Sequence, residues 1–592
     1  MIRVEELSYG VPTKELYKKI SFTLEEGQHC AFIGRNGTGK TTLVDMIIHP
    51  EEYLYTGKII RDEHCRIGYA SQFAKADKDQ EITVFDYLSE KFVENQEETG
   101  WVCAEMAEAE DLEPLFEHYQ QLLDVFQAMD GDNYELNIRK MLKQVEMSKY
   151  EDLPVSNLSG GEYKLLQIMK EMLLKPNLLV LDEPDAFLDF ENLNGLVSLI
   201  NSYPGTLLVV THNRYLLNHC FNKILQLEDM DIQEFDGNYT EYRASILQKK
   251  VELQEQAAKD QAEIERTEKM VERLRANATR VDNASFGRAV HAKDTQLQRL
   301  RARQIKAPFV DIRQPEITFP KIETKAALSE PDVQPEAELP KPDVQSDDVL
   351  LRVCDYQLMF DDVLLENVNF ELHAGEKIAI VGANGTGKTT LLRDIFANTH
   401  PAIKLSEHAR IGFLSQIYGE MLNESNTVYE EFEALGFENR EEISRYLVKY
   451  CLDPETLDQK IGQMSGGEKN LLQLAKIALS DANLLLLDEP TSHLDLYSQI
   501  ALEKAVAEYK GAVLIVSHDF YNIVNCADSV LYVEDKQIRP MRIRTFRQKM
   551  YEKHFSVEYL EKEQKRKELE TRIESCLKKN DVDTARKLCE KI

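Results

Sequence analysis

The sequence predicts an α/β protein in which one P-loop domain occurs twice, the two copies joined by a helical hairpin linker and followed by a C-terminal helical extension. Three observations carry that expectation. The phosphate-loop pattern GxxxxGK[ST] occurs at Gly34–Thr41 and again at Gly382–Thr389. The same train of shorter motifs follows each copy. Between them, from Tyr239 to Lys306, the chain nearly lacks Gly and Pro and carries sparse apolar residues among Gln, Glu, Lys, Arg and Ala, the composition of long exposed helices.

The loop residues follow from phosphate chemistry. Glycines let successive backbone N–H groups converge on phosphate oxygens, the lysine adds a point charge, and the threonine hydroxyl can ligate Mg²⁺. Candidate phosphate contacts are therefore Gly34, Asn36, Gly37, Gly39, Lys40, Thr41 and Thr42, and in the second copy Gly382, Asn384, Gly385, Gly387, Lys388, Thr389 and Thr390. Cys30–Ile33 and Ile378–Val381 read as buried strands entering the loops, and amphipathic helices should leave them.

Downstream of Lys40 come Gln72, Leu158-Ser-Gly-Gly-Glu162, Leu178-Leu-Val-Leu-Asp182-Glu183 and Val210-Thr-His212; downstream of Lys388 come Gln416, Met464-Ser-Gly-Gly-Glu468, Leu485-Leu-Leu-Asp488-Glu489 and Val516-Ser-His518. The serine and aspartate of these motifs lie 23 residues apart in both copies, and the aspartate and histidine 30 apart in both. This pattern resembles tandem ATP-binding cassette (ABC) ATPase domains. With the Asp488-Glu-Pro-Thr-Ser-His-Leu-Asp495 run and the charged linker, it resembles the ABC-F family in particular.

The resemblance implies head-to-tail pairing in one chain, a monomer, with ATP and Mg²⁺ held between the phosphate loop of one cassette and the Ser-Gly-Gly turn of the other. Site one would combine Lys40, Thr41, Gln72, Asp182, Glu183 and His212 with Ser465, Gly466 and Gly467. Site two would combine Lys388, Thr389, Gln416, Asp488, Glu489 and His518 with Ser159, Gly160 and Gly161. Asp182 and Asp488, with Thr41, Gln72, Thr389 and Gln416, would hold the metal; Glu183 and Glu489 would polarise the attacking water, and His212 and His518 would meet the γ-phosphate. Tyr9 and Phe360 are the candidates to stack on adenine, although Tyr17 is near and an aromatic beside a strand commonly packs in a core. One departure stands out: the first copy reads Pro184-Asp185-Ala186-Phe187-Leu188-Asp189 where the family has Thr-Asn-His before Leu-Asp, so unequal turnover at the two sites is expected.

The expected boundaries are a first cassette at 1–242, a hairpin linker at 243–308, an acidic Pro-rich connector at 309–348, a second cassette at 349–540 and an extension at 541–592. The first cassette carries 38 more residues between its Gln and its Ser-Gly-Gly turn than the second, an acidic helical arm at about 90–135. The linker should turn between Asn277 and Gly287. Its residues 266–306 hold 11 Lys/Arg against four acids in a chain of net charge −32. A solvated helix face would account for such charge; its contrast with an acidic body points to one polyanion-binding element. By resemblance that partner is the ribosome, with rRNA and the P-site tRNA, in a translation factor or an antibiotic-resistance ribosome protection factor. In the extension, Leu569, Ile573, Cys576 and Leu577 fall on one helix face before a turn at Asn580–Asp583, consistent with packing on its own cassette or with RNA contact.

The chain has no run of 18 apolar residues and its nine cysteines form no C-x-x-C pair. Neither a membrane span nor a secreted disulfide framework is expected, and the location should be cytoplasmic. An excision-repair ABC protein would show zinc-ligating cysteines, which argues against that class. An ATPase subunit of an ABC transporter is the alternative.

Overall fold

The computed structural model describes residues 2–11, 14–62, 65–71, 81–109, 111–186, 188–278, 284–303, 314–320, 349–360, 362–554, 557–579 and 581–591. They form two compact units, one of Met1–Asn238 with Gln314–Lys549 and one of Tyr239–Arg313 with Met550–Ile592.

The first unit contains both cassettes. Each is built on a six-stranded sheet ordered, in the first copy, Ile67–Ala70, Leu178–Asp182, Thr206–Val210, His29–Gly34, Lys223–Glu228, Asp231–Asp236; the second repeats the order with Ile411–Leu414, Leu484–Asp488, Ala512–Val516, Lys377–Val381, Ser529–Glu534, Gln537–Arg542. Five strands are parallel and the last is antiparallel. The central strands are buried throughout, which is why they read as continuous Leu/Val runs without alternation. Phosphate loop, glutamate and histidine all leave the carboxyl ends of neighbouring parallel strands, so strand order alone gathers them at one edge. A three-stranded antiparallel sheet covers each cassette: Lys14–Leu24, Ile2–Val11 and Thr56–Arg61 in one, Val363–His373, Val349–Met359 and Ile403–Leu405 in the other.

The arm is an antiparallel pair, Val84–Met106 and Glu113–Ala128. Thr83 caps the first helix by accepting from the Asp86 N–H. At the arm's base Asp130, with φ of 59°, accepts from Asn133, Asn137 and Lys175, tying the turn back to the cassette. Within the expected connector, residues 314–320 are packed on the second cassette: Ile317 is buried in its helical core and Glu316 N–H donates to the Lys449 carbonyl at 2.7 Å. The connector's acidic Pro-rich stretch lies outside the described residues.

In the second unit the linker forms helices Tyr239–Ala278 and Ala284–Arg303, and the expected turn lies between them, outside the described residues. Val251, Ile264, Val271 and Leu297 are buried there. The extension forms helices Val557–Lys578 and Val582–Cys589. Ile573, Ala585 and Leu588 pack on Leu247 and Val251 of the long linker helix, with Leu569, Cys576 and Leu577 beside them. Arg243 reaches Glu570 at 3.4 Å, and the Gln254 amide donates to the Leu577 carbonyl at 2.9 Å. The apolar face read from sequence thus finds its partner in the linker helix.

Candidate functional site

Each phosphate loop runs from a central strand into a helix, Lys40–Ile48 or Lys388–Ala397. Gly39 and Gly387 sit in the left-handed region, with φ of 95° and 88°. A Cβ at Gly39 would lie 2.7 Å from the Tyr17 hydroxyl and one at Gly387 2.5 Å from Leu358 Cδ2, so no side chain fits either position. The lysines fold back into their own loops: Lys40 Nζ donates to the carbonyls of Gly34 (3.0 Å) and Arg35 (2.9 Å), Lys388 Nζ to those of Gly382 (2.9 Å) and Ala383 (2.6 Å). Burial lowers the pKa of both, and facing carboxylates, Asp495 first for Lys40 and Glu489 first for Lys388, oppose that fall.

The Ser-Gly-Gly turns open helices Gly160–Leu173 and Gly466–Ala478 through reciprocal capping boxes, Ser159 with Glu162 and Ser465 with Glu468. The glutamate after each turn is therefore a capping residue that frees the glycine N–H groups to face outward. Across the cassettes, a cavity of about 590 Å³ is lined by Ser159, Gly160 and Gly161 from the first copy and by Asn384, Gly385, Gly387, Lys388, Thr389, Thr390, Gln416, Glu489 and His518 from the second. The opposite pairing makes direct contacts. Asn36 Nδ2 donates to the His493 carbonyl at 2.7 Å, and a Cβ on Gly467 would come within 2.3 Å of that same nitrogen.

Glu183 and Glu489 both have positive φ, 44° and 45°, an unfavourable backbone for a non-glycine residue, and each is held by its N–H to the carbonyl of Val210 or Val516. Burial pushes the Glu489 carboxyl up to about 8, with Asp488 adding to it, and the Glu183 carboxyl up to about 7, with Asp185 and Asp182 adding. Glu489 Oε2 accepts from the His518 N–H at 3.2 Å, and His518 Nε2 lies 3.5 Å from Oε1. Burial, with Lys40 or Lys388 alongside, lowers His212 and His518 to about 3, so both rings are neutral. Both ring nitrogens of His212 are buried without a hydrogen-bond partner among the described residues.

Asp488 is fully buried. Its Oδ1 accepts from the Thr389 hydroxyl at 3.0 Å, while Oδ2 has no partner among the described residues, and burial pushes the carboxyl up to about 6. An orphaned, desolvated carboxylate oxygen beside a threonine hydroxyl fits a divalent cation bridging toward phosphate. Asp182 is likewise buried and hydrogen-bonded to Thr41.

Tyr9 and Phe360 are not equivalent. Tyr9 pairs with Tyr17 in mid-strand, stacked on it at 6.3 Å and edge-on to Tyr53 at 5.6 Å, which makes it a packing residue. Its counterpart is Leu358, opposite Leu365, whereas Phe360 stands at the hairpin tip, 65% exposed and open to a stacking ligand. Tyr17 is fully buried, its hydroxyl donating to the Gly39 carbonyl at 2.5 Å. Gln72 and Phe187 lie outside the described residues.

Two site residues escaped sequence reasoning. Asp189 caps helix Phe190–Ser202 through Oδ1, to Asn192 N–H at 3.0 Å, and accepts the Asn384 N–H of the opposite phosphate loop through Oδ2 at 3.2 Å. Asp495 does the same with Ser498 (2.8 Å) and Asn36 (3.1 Å). The signal was present as a Leu-Asp pair six residues beyond each glutamate, at a helix start.

A family model described as ABC transporter matches residues 17–186 and 365–492, and a second under the same description matches 225–319. ABC transporter F family member 2 of Arabidopsis thaliana is 29% identical over 554 residues, covering 90% of this chain and 76% of that protein. The chain belongs to the ABC-F family. The energy-dependent translational throttle protein EttA of Escherichia coli (strain K12) is 27% identical over 538 residues, 89% of this ABC-F protein and 90% of EttA. The crystal structure of archaeal ribosome recycling factor aABCE1 with stalk protein aP1 aligns at TM-score 0.54 and 18% identity, over 92% of this chain and 90% of that one, a likeness of tandem-cassette fold. The ABC-F protein is an ATPase with two ATP sites, and among its described residues no helix is long and apolar enough to cross a membrane.

Proposed function

We propose that this ABC-F protein acts on the ribosome as a translation factor, binding ATP with Mg²⁺ at both cassette junctions and inserting its linker, 243–308, in the E site beside the P-site tRNA. The observation that carries the reading is similarity to EttA, named a translational throttle, that runs through both cassettes and the linker between them. Local charge supports it: residues 266–306 are strongly basic in a chain of net charge −32, so general attraction to RNA is suppressed and contact is confined to one element. When bound, Mg²⁺ would neutralise charge on the transferring phosphoryl group; Thr389 with Asp488, and Thr41 with Asp182, would hold it. Ionised Glu183 or Glu489 takes a proton from the attacking water, and the neutral histidine donates a hydrogen bond to the γ-phosphate.

The test is the variant carrying Arg273→Glu, Arg275→Glu, Arg280→Glu and Arg288→Glu. ATP binding should be unchanged, ribosome co-sedimentation in ATP should fall at least about tenfold, and the salt slope of residual binding should become shallower. Co-sedimentation equal to the parent across a salt series overturns the reading, and recovery with membranes instead favours a transporter ATPase. Measured alongside, a raised inhibitory concentration of a peptidyl-transferase-centre antibiotic on expression identifies ribosome protection; an unchanged one identifies a housekeeping role.

A further inference from the structure

At the junction of the two cassettes lies a buried ion pair that the nucleotide chemistry does not use. Arg214 stands two residues after His212 and opens the short helix Arg214–His219. Its guanidinium crosses into the second cassette and grips Glu503 in bidentate fashion, Nη1 to Oε2 at 3.2 Å and Nη2 to Oε1, with both side chains only 8% exposed. Nη2 also reaches Asp519 Oδ2 at 3.4 Å, and the guanidinium lies over the Tyr521 ring at 4.7 Å.

Both acidic partners lead to a nucleotide site. Asp519 directly follows His518 and lines the cavity on Lys388; its Oδ1 caps helix Phe520–Cys526 through the Tyr521 and Asn522 N–H groups. Glu503 lies on helix Leu496–Glu508, whose cap Asp495 accepts the Asn36 N–H of the other phosphate loop. One guanidinium therefore joins the loop that carries His212 to the loop that carries His518.

The pair is not repeated. The second copy runs 306 residues behind the first in this region, so Phe520 stands where Arg214 does, and Val197 where Glu503 does. There the crossing is aromatic, Phe520 meeting Phe190 edge-on at 6.2 Å. The fold therefore accepts an apolar solution at this contact, and desolvating a charged pair seldom improves on one. Adhesion alone does not account for the ion pair.

We propose that Arg214 is a positioning residue for the opposite site: through Asp519 it sets the placement of His518, so the histidine loop of the Lys40 site controls hydrolysis at the Lys388 site, with no equivalent control in reverse. The inference rests on the ATPase activity and not on the ribosomal reading, and its test needs only the purified full chain.

Replacing Arg214→Met alone leaves Glu503 buried without a counter-charge, held only by the Asn525 amide at 2.7 Å, and could loosen the junction for that reason. The decisive variant is Arg214→Phe with Glu503→Val, which installs the two apolar residues, Phe and Val, that stand at the related positions 520 and 197. It should keep the parent's thermal midpoint within a few degrees and its ATP affinity, yet, in a Glu183→Gln background that leaves only the Lys388 site working, lose about tenfold in kcat. In a His518→Ala background the same double substitution should cost little further, whereas in a His212→Ala background its full cost should remain. Arg214→Lys, which keeps charge but not the fork, should recover only part of the rate. Parental kcat in the apolar double variant, or a loss that simply adds to that of His518→Ala, overturns the proposal.

Discussion

In the first cassette the residue two beyond the glutamate is Asp185, half-buried at the cavity wall, with the Thr211 hydroxyl donating to it at 2.6 Å and Lys164 supplying an opposing charge. In the second, the same three positions hold Thr491, Ser517 and Asn470, and the Asn470 amide pins the loop by donating to the carbonyls of Pro490 (3.3 Å) and Ser492 (3.0 Å). Phosphate loops, capping boxes, strained glutamates and neutral histidines match between the copies; the groups packed behind them do not. A duplicated site tolerates exchange of a neutral hydrogen-bonded loop for a charged one provided the counter-charge changes with it. Asp185 and Lys164 form such a compensated exchange, and Arg214 with Glu503 a second, across the junction.

The largest effect should come from what the two sites share. Glu183→Gln with Glu489→Gln removes both proton acceptors while keeping side-chain volume and every phosphate-loop contact, so ATP should bind as before and steady-state turnover should fall by about 10²- to 10³-fold. The nucleotide should be recovered unhydrolysed from the rapidly desalted protein. Turnover near the parental rate would remove both glutamates from the mechanism and make the comparison between sites moot.

Most of this machinery was legible because its signals are local. A phosphate loop, a Ser-Gly-Gly turn with a capping glutamate and an Asp-Glu closing an apolar strand each declare their geometry within eight residues, and equal spacings declare the repeat. The tail's helices and apolar face were legible for the same reason, from the placing of Leu569, Ile573, Cys576 and Leu577. What those residues would pack against was not, because Leu247 and Ile573 meet only through tertiary structure. Arg214 and Glu503 are 289 positions apart and carry no motif.

The next effect tests compensation within the first cassette. Lys164→Met leaves Asp185 without its opposing charge, held by the Thr211 hydroxyl and Asn213, and should lower unfolding free energy by about 2 kcal/mol, less than the loss typical for a fully stranded charge because those hydrogen bonds remain and the carboxyl can take up a proton. Lys164→Asn with Asp185→Thr, which writes the second cassette's solution into the first, should recover most of that loss. Denaturant midpoints at pH 7.5 measure both. If the double variant is as unstable as Lys164→Met, the two positions are not coupled and the sequence departure after Glu183 has another cause.

The smallest effect is a difference in pH dependence between the two sites. A carboxyl must be ionised to take a proton from water, and burial raises Glu183 to about 7 and Glu489 to about 8 in the protein without nucleotide. Activity should therefore be lost as pH falls through these values, and kcat/KM, which reports groups in the free enzyme, should show it. Each single substitution leaves one acceptor working: Glu489→Gln should retain the acid limb set by Glu183, and Glu183→Gln one displaced to higher pH. The direction follows from surroundings. Glu183 has Lys40 and Lys164 near it to favour the charged form, partly offsetting Asp185, whereas Glu489 has Lys388 alone among the lysines and Asp488 against it. Coincident limbs, with equal residual rates in the two variants, would show that the exchanged loop residues leave the chemistry of the two sites the same.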